Sequence, residues 1–216
     1  MTRPLLLGHR GARSSRHIPE NTLASFELCL QHGCDGFEFD VRQSVDGEAV
    51  ICHDTTHNGM EIAKTTAKRL ALTTLEEVLL QFSSRAFLDI ELKAAGLEQL
   101  MVAALRKRPP QKGHVVSSFL PEVLTSLHVL DASIPMGLLC ASRKQLRGWP
   151  LSPAEWVIAE MELADQELIS QVHSSGRKIM VWTVNRAEKI RQLSDWGVDA
   201  IISDETERVA QVVLGL

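Results

Sequence analysis

Ionisable residues gather at the ends of short β-rich runs early in the chain: His9 and Arg10, Glu38 and Asp40, His53 and Asp54, then Glu91 and Lys93. Glu38, Asp40 and Glu91 come with no sulfur ligand and no paired-histidine spacing. That makes a hard, oxygen-rich set suited to one divalent cation, Mg²⁺ or Ca²⁺ with Mn²⁺ also open, rather than to zinc. If the three converge in a buried place they repel one another, and a cation relieves the repulsion. Two histidines beside them, titrating near neutrality, suit a general acid and a general base. Arg10 and Lys93 supply positive charge of the kind that grips a phosphate. Each piece alone has a plainer reading, as a solvated strand face or a same-face ion pair. Jointly they demand more, because four successive strands place charge on a face that folding would otherwise bury at high cost.

The elements that must position these residues follow a recurring helix, glycine, strand unit. It appears at Leu30–Phe37, at Val172–Ile179 and at Leu193–Ile201, with Gly33, Gly176 and Gly197 placed to end each helix. Repeated α-to-β connections of this length imply parallel strands with crossover helices. Apolar stripes mark helices at Leu23/Phe26/Leu30, at Leu97/Leu100/Met101/Ala104/Leu105 and at Leu168/Ile169/Val172. Thr74 with Glu77 reads as a capping box, and Asn185 and Asp204 read as N-caps. Candidate strands are Leu5–His9, Gly36–Val41, Ala49–His53, Ala86–Leu92, His114–Phe119, Pro135–Cys140, Trp156–Ala159, Lys178–Val184 and Ala200–Ser203. That is one more than an eight-stranded barrel holds. The awkward member is Ala49–His53, because Asp46-Gly47 before it signals an antiparallel hairpin.

Face arithmetic favours a barrel. Side chains two apart on a strand share a face, so Glu38 points with Asp40, and Asp89 with Glu91 and Lys93, while Leu88, Ile90 and Leu92 point the other way. An open sheet covered by helices on both sides would be apolar on both faces. A (β/α)8 barrel turns its outer face to helices and carries chemistry inside, at the C-terminal rim.

The chain has 216 residues, 23 Lys+Arg against 27 Asp+Glu, and 44% apolar residues. This fits one domain spanning 1–216 and excludes a disordered chain. The acidic balance argues against a nucleic-acid partner. No stretch has the length of a membrane span, and Met1–Leu7 is too short for a signal-peptide core. Cys29, Cys34, Cys52 and Cys140 include no C-x-x-C pair, which suits free thiols and a cytoplasmic setting.

Taken in order, His9-Arg10-Gly11, Pro19-Glu20-Asn21-Thr22, Glu38-x-Asp40, His53-Asp54, Glu91-x-Lys93, Ser118-Phe119 and Trp182-Thr183-Val184-Asn185 resemble the glycerophosphodiester phosphodiesterase family from end to end. Gly197–Asp204 is similar to its closing strand. The resemblance implies a TIM-type barrel and metal-dependent cleavage of a small-molecule glycerophosphodiester to glycerol 3-phosphate and an alcohol. It implies Glu38, Asp40 and Glu91 as metal ligands, and His9 and His53 as the acid/base pair. Arg10 and Lys93 would hold the phosphate, Glu20 would lie near the metal or the glycerol hydroxyls, and Trp182 would form an apolar wall. It also places His53 on the same rim as Glu38, against the simple hairpin reading of Asp46-Gly47.

Two departures from the family pattern stand out. The insertion after the third strand is abbreviated, since Thr55–Gly59 passes quickly to the helix at Thr74, and Thr73 stands where the family often has proline. A lysophospholipase D using the same residues would need an apolar lip, and the sequence presents no amphipathic helix or hydrophobic anchor for one. A non-catalytic phosphoester-binding barrel would usually lack a ligand or a histidine, and here every one is present.

Overall fold

The computed structural model describes residues 3–215, so Met1, Thr2 and Leu216 of the expected unit lie outside the described residues. The strands are β1 (Leu5–His9), β2 (Gly36–Gln43), β3 (Ala49–Ile51), β4 (Thr56–His57), β5 (Met60–Glu61), β6 (Phe87–Leu92), β7 (His114–Ser118), β8 (Met136–Cys140), β9 (Trp156–Glu160), β10 (Lys178–Trp182) and β11 (Ala200–Ser203). The helices are α1 (Leu23–Gln31), α2 (Ala67–Leu70), α3 (Leu75–Phe82), α4 (Glu98–Lys107), α5 (Pro121–Leu130), α6 (Arg143–Leu146), α7 (Gln166–Ser174), α8 (Ala187–Asp195) and α9 (Thr206–Leu214). β1, β2 and β6 to β11 run parallel and close through a β1–β2 pairing into the expected eight-stranded barrel. No helix among the described residues is long and apolar enough to cross a membrane.

The ninth candidate strand is the outsider. β3 pairs antiparallel with the end of β2, with Val41 opposite Ile51 and Gln43 opposite Ala49, so the hairpin reading of Asp46-Gly47 is correct. The hairpin and a rim position for His53 are compatible because β2 outruns the barrel wall. β3 then folds back, and the Cys52 amide donates to the Asp40 carbonyl at 3.0 Å, which returns the chain to the rim. The short segment that follows holds the β4–β5 hairpin, a 3₁₀ turn at Ile62–Lys64 and α2. Val50, Ile62 and Leu70 give it a small core of its own.

Alternation sets the two faces of the wall. Phe37, Phe39 and Val41 of β2 and Leu88, Ile90 and Leu92 of β6 point outward into the main core with the helices. Leu7, Phe87, Val115, Leu139, Trp156, Ile158, Met180, Ala200 and Ile202 fill the barrel itself. The interior is thus plugged by apolar side chains at its lower levels, and the polar groups gather toward the C-terminal rim. Gly36 permits the close approach of β2 and β6, because a Cβ there would collide with the Phe87 carbonyl oxygen. Thr74 and Glu77 form the expected capping box on α3. Asn185 and Asp204 do not cap α8 and α9; Arg186 and Glu205 hold those positions, without side-chain bonds.

The wall is anchored outside by an aromatic cluster. Phe26 of α1 stacks on Phe37 with centroids 4.2 Å apart, and Phe82 of α3 meets Phe37 edge-on at 5.1 Å. Phe26→Ala is expected to cost about 3–5 kcal/mol, the usual range for an emptied core aromatic. Leu80→Ala, at a position 62% exposed, is expected to cost no more than about 0.5 kcal/mol. Urea unfolding of the two variants beside wild type measures both.

Candidate active site

β2 and β6 deliver the acidic centre. Glu38 pairs in register with Asp89, and Asp40 with Glu91, so the inward carboxylates of neighbouring strands lie at matched heights. One carboxylate oxygen from each of Glu38, Asp40 and Glu91 lies within 4.8 Å of the others, and all three residues are buried. Burial, followed by the nearby charges of Asp40, Glu91 and Asp89, pushes the Glu38 carboxyl well above the usual range. Glu91 is also raised, by burial first, with Lys93 pulling against it. Glu38 Oε1 and Asp40 Oδ1 are buried without a hydrogen-bond partner. A buried oxygen left that way is expensive. Converging hard oxygens with unmet acceptor capacity fit a divalent cation such as Mg²⁺ or Ca²⁺, whose charge would relieve the repulsion.

Cationic groups border this cluster. Lys93 Nζ lies 2.7 Å from Glu91 Oε1 and 3.3 Å from Asp40 Oδ1. Arg10 Nε is 3.2 Å from Asp40 Oδ2, an ion-pair contact in which Nε completes no hydrogen bond. The Arg10 backbone is left-handed, φ 54°, and this turn lets its amide donate to Glu38 Oε2 at 2.9 Å. Strain of this kind persists only where the surroundings fix it. Here the Ser25 hydroxyl and the Asn21 amide both donate to the Arg10 carbonyl. Asn21 in turn donates from Nδ2 to Asp40 Oδ2 at 2.8 Å.

Each histidine has a carboxylate on Nδ1. His9 Nδ1 is 2.8 Å from Asp204 Oδ1, and His53 Nδ1 is 2.8 Å from Asp54 Oδ1. An ionised carboxylate only accepts, so Nδ1 donates and Nε2 is left facing the site. His9 Nε2 lies 3.9 Å from Glu38 Oε2. Asp204 also accepts from Asn185 Nδ2 at 2.8 Å and Arg13 at 3.1 Å. Burial works against its charge, but these bonds prevail and hold it well below the usual carboxylate range. The Arg42 guanidinium donates to the His53 carbonyl and fixes the loop that carries the second histidine.

His9, Arg10, Glu38, His53, Glu91, Lys93, Phe119, Leu139, Trp182 and Ile202 line one cavity of about 230 Å³. Trp182 donates from its indole to the Ile158 carbonyl and meets Phe119 edge-on at 5.6 Å on one side of this cavity. Glu20 is not one of the three converging carboxylates. It accepts from Arg10 at 2.7 Å and Arg13 at 2.5 Å, and so braces the two arginines. Asp204, Asn21, Asn185, Phe119 and Asp89 carry structural work at the site that sequence reasoning assigned to none of them. Asp89 lies level with Glu38 on the neighbouring strand, accepts from the Ser117 hydroxyl at 2.6 Å, and is pushed by burial up to about 7.

The glycerophosphoryl diester phosphodiesterase family model matches residues 9–110 and 93–208. The chain belongs to this family. A glycerophosphodiester phosphodiesterase of Caldanaerobacter subterraneus subsp. tengcongensis is 29% identical, over 97% of each chain. Among solved structures of the family's fold, a glycerophosphodiester phosphodiesterase from Thermotoga maritima superposes with a TM-score of 0.84 at 26% identity, covering 98% of this chain and 99% of that one. An Oleispira antarctica phosphodiesterase, solved in complex with the product sn-glycerol-3-phosphate, superposes with a TM-score of 0.84 at 28% identity, over 98% and 97%.

The depressed Asp204 carboxyl has a direct consequence for stability. A group whose folded pKa lies below its unfolded value of about 3.9 stabilises the fold above that pH, and the contribution fades as pH falls below it. Asp204→Ala is expected to lower unfolding free energy at pH 7 by about 1–3 kcal/mol, the scale of lost charged hydrogen bonds. The deficit should narrow as urea titrations move from pH 5 to pH 3. A deficit that stays constant would show that packing, not charge, accounts for the loss.

Proposed function

We propose that the chain hydrolyses glycerophosphodiesters to glycerol 3-phosphate and an alcohol, with one divalent cation held by Glu38, Asp40 and Glu91. The observation that carries this reading is the convergence of three buried carboxylates, two with unmet oxygens, between two histidines each oriented by its own carboxylate. Membership of the family and the product held by the Oleispira antarctica relative support the same reaction.

The cation would supply positive charge to a non-bridging phosphate oxygen and so make phosphorus easier to attack. Arg10 and Lys93 hold the phosphate from the sides, where each is already kept in place by a carboxylate. One histidine takes the proton of the attacking oxygen on Nε2, and the other gives its Nε2 proton to the departing alcohol. The attacking oxygen belongs either to water or to the glycerol 2-hydroxyl, the second route passing through a cyclic phosphate. Trp182 and Phe119 close one side and keep bulk water from the reacting centre. The proposed setting is the cytoplasm, because Cys29, Cys34, Cys52 and Cys140 are all unpaired thiols, as a reducing compartment favours.

The direct test is release of glycerol 3-phosphate from glycerophosphocholine, glycerophosphoethanolamine and glycerophosphoglycerol, with Mg²⁺, Ca²⁺ or Mn²⁺ and with a chelator. Metal-dependent release is expected, and no release from any diester with any metal removes the proposal. His53→Ala is expected to lose about 10²-fold or more in turnover, the usual scale of an acid–base contribution. Asp204→Asn keeps the shape but loses control of the His9 tautomer, and should lower kcat by at least about tenfold with little change in KM. Steady-state kinetics on the best of the three diesters measure both variants.

A further inference from the structure

The catalytic cavity is about 230 Å³, below the ~300 Å³ at which pockets for a whole ligand usually begin. An ion, a phosphate and a glycerol take up most of such a space, so the second alcohol of the diester needs room elsewhere. One side of that cavity is Phe119, Leu139, Trp182 and Ile202, which gives a polar alcohol little to bond. A larger cavity of about 430 Å³ also has His53 in its lining, so the two meet at that side chain. A second link is Glu20, which lines the larger cavity and accepts from Arg10 of the smaller one.

Residues 19–22, 51–54, 56, 57 and 71–73 line this second cavity. Its walls are built rather than loose. Val50, Ile62 and Leu70 give the segment after β3 its own core, left-handed Ala71, φ 53°, ends α2, and the Thr73 carbonyl accepts from the Ile51 amide at 2.8 Å. The lining contains no Phe, Trp, Lys or Arg. A quaternary ammonium therefore finds no ring face to sit on. Glu20 is engaged by Arg10 and Arg13, and Asp54 by His53, so each carboxylate already has a partner for its charge. What the lining offers is hydrogen bonding. Thr56 and Thr73 carry hydroxyls, and Asp54 has Oδ2 as an acceptor while Oδ1 meets His53. Asn58 donates to His57 Nε2 at 3.0 Å, which leaves His57 Nδ1 to donate. Each hydroxyl of a polyol both donates and accepts, so mixed partners of this kind suit it better than a cation or an anion.

We propose that this second cavity receives the leaving alcohol of the diester, and that the alcohol it fits is a polyol the size of a cyclic sugar, with inositol as the model. The inference rests on the phosphodiesterase reading above and names a substrate class for it. The phosphate sits beside His53, the glycerol stays in the smaller cavity, and the polyol ring lies against Thr56, His57 and Thr73. Asp54 then has two duties. Its Oδ1 orients His53, and its Oδ2 accepts from a ring hydroxyl.

Two probes of equal ring size, one with hydroxyls and one without, test this. In calorimetric titrations with Ca²⁺ present, myo-inositol 1-phosphate should bind wild type about tenfold more tightly than cyclohexyl phosphate, the worth of one or two net hydrogen bonds. Two substitutions on the β4–β5 hairpin place the effect. Thr56→Trp, at an exposed position, fills the cavity with an indole, and His57→Leu removes the ring donor. In each, the inositol-to-cyclohexyl ratio should fall below about threefold, while binding of cyclohexyl phosphate itself reports an intact catalytic cavity. Equal binding of the two phosphates by wild type, or an advantage that survives in either variant, overturns the proposal. In hydrolysis assays, kcat/KM for glycerophosphoinositol should exceed that for glycerophosphocyclohexanol and for glycerophosphocholine by about tenfold. Parity with either, or a lead for either, overturns it, a lead for glycerophosphocholine marking an ammonium site instead. Absence of hydrolysis of all three would strike at the phosphodiesterase reading, and the binding ratio would still decide the cavity.

Discussion

Mutual repulsion among Glu38, Asp40 and Glu91 is the constraint around which the rim is built. At separations up to 4.8 Å each ionised pair costs about 3–4 kcal/mol at the effective dielectric constant that suits protein interiors. The fold spends much of its local hydrogen bonding to contain this. The left-handed Arg10 turns an amide toward Glu38, Asn21 donates to Asp40, and Lys93 sits between Asp40 and Glu91. The containment is incomplete. Three negative charges against two positive leave one negative, and Glu38 Oε1 and Asp40 Oδ1 stay without a hydrogen bond. A divalent cation would turn that balance to one positive, which a phosphodiester monoanion would neutralise. This charge count suits a cation and a phosphate together.

The barrel can tolerate this arrangement because the cost is confined to one level and one sector. Below the rim, apart from Asp89 and its Ser117 partner, the interior is apolar from Leu7 and Phe87 to Trp156 and Met180. Outside the wall, the Phe26, Phe37, Phe39 and Phe82 cluster lies directly behind the strand that carries Glu38 and Asp40. Close packing there holds β2 rigid while its inner face is electrostatically unfavourable. Stability made on one face of a strand is thus spent on the other. Across the barrel, β8 and β11 turn Leu139 and Ile202 to the same cavity, and the rim becomes amphipathic.

Much of this was legible in the sequence because the relevant signals are local. Period-two alternation in Phe37–Val41 and Phe87–Lys93 separated the helix-facing set from the chemical set, and the structure keeps that division on both strands. The helix, glycine, strand repeats gave parallel strands, and Thr74 with Glu77 gave a cap that forms. What was not legible depends on three-dimensional neighbours. Asp204 and Asn185 have the residue types and spacing of N-caps, yet they bond to each other, and Asp204 to His9 from the far end of the chain. A period-two count from Ala200 and Ile202 would have put Asp204 on the inner face. The Asp46-Gly47 hairpin and the rim position of His53 seemed opposed because nothing in the sequence says that β2 runs past the barrel wall. Leu151 ends a single 3₁₀ turn beside a four-residue helix, elements too short for any periodicity to mark its exposure.

The central claim, that the three buried carboxylates are a cation site and not merely a charged patch, is tested most directly by thermal unfolding of metal-free protein with and without added Mg²⁺, Ca²⁺ or Mn²⁺. At a concentration about a hundredfold above its dissociation constant, a specifically bound ion should add about 2.7 kcal/mol. For a chain of this size that raises Tm by about 5–10 °C. Glu38→Gln removes one charge of the repelling set, so it should raise the metal-free Tm while abolishing most of the response to the ion. A metal-free Tm unmoved by all three cations, or an equal response in wild type and Glu38→Gln, would contradict the account.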